Sequence, residues 1–156
     1  MIIMYTFSPK EADSYAKKGE LHKWVFDFLN TIGKNKEMAN GILKREKDKK
    51  LFWFGPIKFP LNKLTRCTGA EKTMEYVEPL KKWENKTTKM VQSIQAGWEP
   101  PLLMVNPRPW PILSIRDGNH RYEALKRCGK RKYWIIFWFE SPKARNLFIK
   151  KYKNIL

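Results

Sequence analysis

Five consecutive residues, Asp117, Gly118, Asn119, His120 and Arg121, place an acid, an imidazole and a guanidinium within one turn of chain. They follow the apolar stretch at residues 111–115 and lead into a helical pattern carrying Tyr122, Leu125 and Cys128, closed by Gly129. A helix capped by Asn119 presents backbone N–H groups and the positive end of its dipole at that point, a ready site for an anion. Gly118 permits a sharp turn and a close approach of ligand to backbone. His120 exchanges a proton near neutral pH, and Arg121 offers a planar fork matched to phosphate oxygens. Asp117 would repel a bare phosphate. Its place in such a site is to bind a metal, to orient His120 or Arg121, or to accept a proton from a substrate hydroxyl. The plain alternative is a polar helix start with an Asp–Arg pair, and spacing alone does not separate the two.

The elements that must hold this turn follow from pattern and punctuation. Residues 101–105 and 111–115 read as short strands either side of a Pro-rich turn, and residues 133–139 as a buried strand. Residues 77–96 read as a helix with Leu80, Trp83, Met90, Val91 and Ile94 on one side and Gly97 as its stop. Before it, residues 51–61 divide into two strand-like pieces at Gly55-Pro56, with Pro60 ending the second. Residues 65–76 read as irregular. The first fifty residues are helical after a short apolar start at Ile2, Ile3 and Met4. Ser8 caps, Pro9 suits the first helical position and Glu11 completes a capping box, with Gly19 closing the helix. Leu21, Trp24, Val25, Phe28, Leu29 and Ile32 then recur at helical spacing, and a third helix over residues 36–47 turns Met38, Ile42 and Leu43 inward. Ser141-Pro142 starts a last helix with Ala144, Leu147, Phe148 and Tyr152. The expected fold is α/β (α+β): a small mixed sheet in residues 51–140, a helical extension over 1–50 and a basic helix over 141–156, forming one compact domain.

Charge is the largest departure from ordinary composition. The 156 residues carry 32 Lys and Arg against 15 Asp and Glu, a net +17 that draws anions, nucleic acid foremost. Solubility is the bland reading of that charge. With 42% hydrophobic and 14% aromatic residues, disorder does not describe the chain. Cys67 and Cys128 stand apart with only His22 and His120 beside them in number, which is neither a disulfide framework nor a zinc site. No apolar run reaches the ~18 residues of a membrane span, so the expectation is a cytoplasmic protein with no membrane partner.

Other groups carry weaker signals. Lys126, Arg127, Lys130, Arg131 and Lys132 crowd the end of the motif helix; Lys126, Lys130, Arg131 and Lys132 are candidates to bind DNA or RNA, or else form a solvated helix end. Trp98 and Trp110 flank the Pro-rich strand ends, where a base could stack, although core packing is the commoner fate of tryptophan. His22 sits among helical apolar residues and reads as structural. There is no Gly-x-x-x-x-Gly-Lys-Ser/Thr loop, so ordinary P-loop chemistry is not expected.

The ordered pattern "PPLLMVNP…LSIRDGNHRYEALKRCGKRKYWIIFWF" resembles the ParB/sulfiredoxin superfamily, whose members include the ParB-like nuclease domain. "IKFPLNKL" (57–64) is similar to that superfamily's first strand and residues 81–97 to the helix that follows, so the resemblance covers residues 55–140. It implies a nucleotide phosphate site at the turn. Sulfiredoxins carry Gly-Cys-His-Arg there and hold ATP phosphates, partition proteins carry Gly-Glu-Arg-Arg and hold CTP, and small free-serine kinases carry Asp-Gly-x-His-Arg as here. By that resemblance Gly118, Asn119, His120 and Arg121 contact phosphate, Asp117 binds Mg²⁺ or acts with His120 in acid–base catalysis, and Glu71 or Glu75 faces the acceptor hydroxyl. Two solvated loop glutamates are the alternative for that pair. Asn119 stands where sulfiredoxins have cysteine, so sulfinic acid repair is not expected, and Cys128 reads as core. No helix-turn-helix domain is expected after residue 140, which sets the chain apart from a full partition protein. The implied function is phosphoryl transfer from ATP or ADP (CTP is also compatible) with Mg²⁺ to a hydroxyl of a small molecule or nucleic acid. The alternatives are a DNA-binding or nuclease-like ParB-type module without nucleotide turnover, and a nucleotide-sensing interaction protein.

Overall fold

A computed structural model of the protein describes residues 5–156, and the apolar start at Ile2, Ile3 and Met4 lies outside the described residues. In chain order the elements are α1 (Pro9–Lys17), α2 (Leu21–Asn30), α3 (Lys36–Lys47), β1 (Phe52–Pro60), β2 (Leu64–Arg66), β3 (Thr68–Gly69), β4 (Tyr76–Val77), α4 (Leu80–Gln95), β5 (Leu103–Pro107), β6 (Leu113–Asp117), α5 (Asn119–Arg127), β7 (Lys132–Phe139) and α6 (Pro142–Lys151). A 3-10 turn at Leu61–Lys63 joins β1 to β2. The fold is α/β, with a mixed five-stranded sheet in the order β1-β7-β5-β6-β2 and a two-stranded sheet of β3 and β4. The chain divides into two units, one of residues 1–56 and 136–156 and the other of residues 57–135. The helical N-terminal extension and the C-terminal helix therefore share a unit with the start of β1 and the end of β7.

In the first of these units Ser8 caps α1 as expected, but the capping box is not closed by Glu11, since the Ser8 N–H donates to Thr6 Oγ1. The Ser8 hydroxyl accepts from the Glu11 N–H at 3.2 Å, while the Glu11 carboxylate turns back to the N–H groups of Thr6 and Phe7 and to the Trp24 indole. Leu21, Trp24, Val25, Phe28 and Leu29 are buried along α2, and Ala39 and Ile42 along α3. Ile32 and Leu43 are exposed instead: Ile32 lies beyond the end of α2, and Leu43 falls off the inward stripe of α3. Phe148 on α6 is fully buried against Phe54, Phe137 and Phe139.

The second unit contains the motif turn. Strand β6 pairs antiparallel with β5, Asn106 opposite Ser114, and parallel with β2, Thr65 opposite Ser114. Three expectations are corrected here. The strand at Phe52–Pro60 runs through Gly55-Pro56 as one element, with Gly55 at φ 108°, a conformation that glycine tolerates. The stretch 65–76, expected to be irregular, contributes β2, which pairs with β6, and β3, which pairs with β4. Helix α4 starts at Leu80, which is 65% exposed, and buries Trp83 and Thr87.

Candidate functional site

Helix α5 begins where strand β6 ends, and the residue that makes this possible is Gly118, at φ 102°. It occupies the cap position expected of Asn119. A Cβ there would lie 2.7 Å from a Leu103 methyl and 2.8 Å from the Arg121 guanidinium, so the glycine makes room for protein side chains as well as for the turn. The first intrahelical bond runs from Tyr122 N–H to Gly118 C=O at 2.8 Å. The N–H groups of Asn119 and His120 precede it, at the positive end of the helix dipole.

Asn119 does not face outward from the helix start. Its side chain is buried, with Oδ1 accepting from the N–H groups of Cys67 (2.9 Å) and Thr68 (3.2 Å) and Nδ2 donating to Ile115 C=O (3.1 Å). It thereby ties the β2–β3 junction to the motif turn. Arg121 is turned inward as well. Its Nη2 donates to Asp117 Oδ2 at 2.9 Å and to Leu102 C=O at 2.9 Å, and both charged residues are 9% exposed. The alternative recognised from sequence, an Asp–Arg pair at a helix start, is the arrangement present.

His120 is placed differently. Its Nε2 lies 3.0 Å from Glu78 Oε1, and its ring packs against Trp83 with centroids 4.5 Å apart. Burial pushes its pKa below the usual imidazole value, with Lys86 and Arg121 acting the same way and Glu78 opposing them. The ring therefore stays neutral at pH 7. With Glu78 accepting the Nε2 proton, Nδ1 is the lone-pair nitrogen.

Glu71 and Glu75 are each held by an arginine. Arg66 donates to both oxygens of Glu71 (2.6 and 3.2 Å) and Arg116 to both of Glu75 (2.7 and 3.2 Å). These guanidinium bonds keep both carboxyls below the usual glutamate range. Arg66 also stacks on Trp83, 4.8 Å from the ring centroid, and approaches Glu123 at 3.8 Å. Among the described residues, no three His, Cys, Asp or Glu side chains converge as a metal cluster.

Lys126, Lys130, Arg131 and Lys132 lie together at the other end of α5. They line one depression of about 450 Å³ with Pro60, Leu61 and Asn62. Trp98 and Trp110 are both 39% exposed. Cys128 is half-buried, its thiol 3.9 Å from Val91 C=O. His22 sits 3.8 Å from Glu46 in the helical unit.

Sequence reasoning missed Glu78, Arg66, Arg116 and Asn62. Trp83 was legible as an inward residue of α4 but not as the platform for His120. Glu78 carries no spacing signal: it is one carboxylate before Pro79, and its role depends on a partner 42 positions away. Among the described residues no helix is long and apolar enough to cross a membrane. No protein-family model, no curated protein and no solved structure matches this chain.

Proposed function

We propose that the chain is a nucleotide-phosphate-binding enzyme of ParB/sulfiredoxin kind, transferring a phosphoryl group from ATP or ADP to a hydroxyl. The observation that supports it most is His120: a neutral imidazole in the first turn of α5, oriented by Glu78 at 3.0 Å and seated on Trp83. The N–H groups of Asn119 and His120 receive phosphate oxygens at the helix start. His120 Nδ1 takes the proton of the acceptor hydroxyl as its oxygen bonds to phosphorus, and the P–O bond to the departing nucleotide breaks with its electron pair. A lowered pKa suits that base, which must be unprotonated before the step. Arg121 and Gly118 act as the frame of the site, and Glu71 and Glu75 as anchors for Arg66 and Arg116.

Mg²⁺ supplies charge neutralisation on nucleotide phosphates when bound. Asp117 does not fit the part of its ligand, because its carboxylate is buried and engaged by Arg121.

The second reading is a DNA-binding or nuclease-like module without nucleotide turnover. The closed Asp117–Arg121 pair favours it, since backbone N–H groups and one imidazole suffice for a single phosphodiester. Thermal-shift titration against ATP, ADP, CTP and duplex DNA, each with and without Mg²⁺, separates the two. Stabilisation by ATP or ADP is the expected result, and stabilisation by DNA alone replaces the first reading with the second.

A further inference from the structure

The cationic depression at the far end of α5 is a built surface. Gly129, at φ 78°, closes the helix, with its N–H on Lys126 C=O at 2.9 Å, and the Lys130 N–H returns to Leu125 C=O at 3.0 Å. The opposite wall is the turn after β1, and the Leu61 N–H donates to Arg131 C=O at 2.9 Å, so both walls are tied through backbone. Leu61 is buried beneath, and Asn62 adds an exposed amide that can donate to an oxygen.

Among the described residues, four arginines of the same unit are engaged by carboxylates, and the cations of this depression are not. Glu71, Glu75, Glu84, Asp117 and Glu123 are each paired with an arginine, namely Arg66, Arg116, Arg127 or Arg121, and Glu78 with His120. Among the described residues, no carboxylate lies within ion-pair distance of Lys126, Lys130, Arg131 or Lys132. Lys126 instead lies over the Tyr122 ring, 5.1 Å from its centroid. A helix C-terminus alone is served by one or two cations in its last turn, and Arg127 and Lys126 already provide them. Lys130, Arg131 and Lys132 lie beyond that turn, where the helix dipole gives no reason for three more.

We propose that this depression is a polynucleotide-binding site, gripping consecutive phosphates of a single strand with Lys126, Lys130, Arg131, Lys132 and the Asn62 amide. A chain of singly charged phosphates matches several exposed cations spread along a rigid wall, and the chain's +17 draws such a strand from a distance. The site stands independently of the reading at the head of α5, and requires neither nucleotide binding nor turnover.

Fluorescence anisotropy with a labelled single-stranded oligonucleotide tests it on the full chain. If all four cations meet phosphates, affinity falls roughly fiftyfold between about 50 mM and about 200 mM salt, following counterion release from a single strand. The combined variant Lys130→Glu, Arg131→Glu, Lys132→Glu is expected to lose at least about tenfold in affinity and to flatten the salt slope. A control of equal charge change, Lys44→Glu, Lys47→Glu, Lys50→Glu on the helical unit, is expected to stay within about threefold of the parent. Circular dichroism confirms that both variants are folded, and the single variants Lys130→Gln and Lys132→Gln serve if the triple variant is not. Equal losses in the cleft and control variants, or no loss in the cleft variant, overturn the proposal. Binding of inorganic polyphosphate at the cleft with no binding of the oligonucleotide overturns it too.

Discussion

The two ends of helix α5 use the same kinds of side chain for opposite ends. At its head, Asp117 and Arg121 are buried and spend their charge on each other and on Leu102 C=O. About 13 Å away, at nine residues and ~1.5 Å each, four cations stand exposed around a depression that, among the described residues, no carboxylate lines. Asp117 and Arg121 of the motif are thus consumed by folding, and the four cations around the depression are left for solution. Charge in a sequence does not reveal which of these it will be. Burial and partners decide it.

That contrast breaks most sharply at Arg121. Replacing it with methionine leaves Asp117 buried and uncompensated, at an expected loss of about 3–5 kcal/mol in urea denaturation. The double variant Asp117→Leu, Arg121→Met is expected to recover most of that loss, since a buried pair is often matched by apolar residues of similar volume. If Arg121→Met is as stable as the parent, the head is not held by its ion pair, and Arg121 returns to the list of groups available to a ligand.

Asn119 gives a smaller effect. Its truncation to alanine removes the acceptor of the Cys67 and Thr68 N–H groups and is expected to cost about 1–3 kcal/mol. An unchanged denaturation midpoint would mean that water takes over both bonds.

The smallest effect is on pH dependence. Because burial lowers the folded-state pKa of His120 below 6.5, the unfolded chain binds the proton more readily. His120 therefore contributes stability above pH 6.5 that is lost as pH falls from there toward its folded pKa. In His120→Gln that part of the stability profile should flatten, while the acid limb below pH 4.5, to which Glu11, Glu71, Glu75 and Glu84 contribute, should persist. A profile identical to the parent's would remove the burial argument, and with it the neutral base.

Much of the architecture was legible from local chemistry. Ser8-Pro9 and Ser141-Pro142 each start a helix because a hydroxyl and a fixed φ act within a single turn. Periodicity placed Leu21, Trp24, Val25, Phe28 and Leu29 of α2 and Ile42 of α3 in the core, while Ile32 and Leu43 are exposed. What escaped was set at long range. Strand β2 is three residues whose pairing lies 49 positions on, and Arg121 turns inward to the C=O of Leu102, just before β5. The turn itself was read correctly as the junction of a strand and a helix, but Asn119 was assigned to the wrong end of its hydrogen bonds: it serves β2 and β3, and Gly118 holds the cap.

The clasp between Asn119 and Cys67 has a chemical reporter built into it. The Cys67 thiol is buried, donates to Ile115 C=O at 2.9 Å and receives Asn119 Nδ2 at 3.5 Å. A thiol-alkylating reagent meets half-buried Cys128 first, and reaches Cys67 only when β2 and the head of α5 part. In a Cys128→Ser background, labelling at the one remaining cysteine becomes a clock for how often that junction opens.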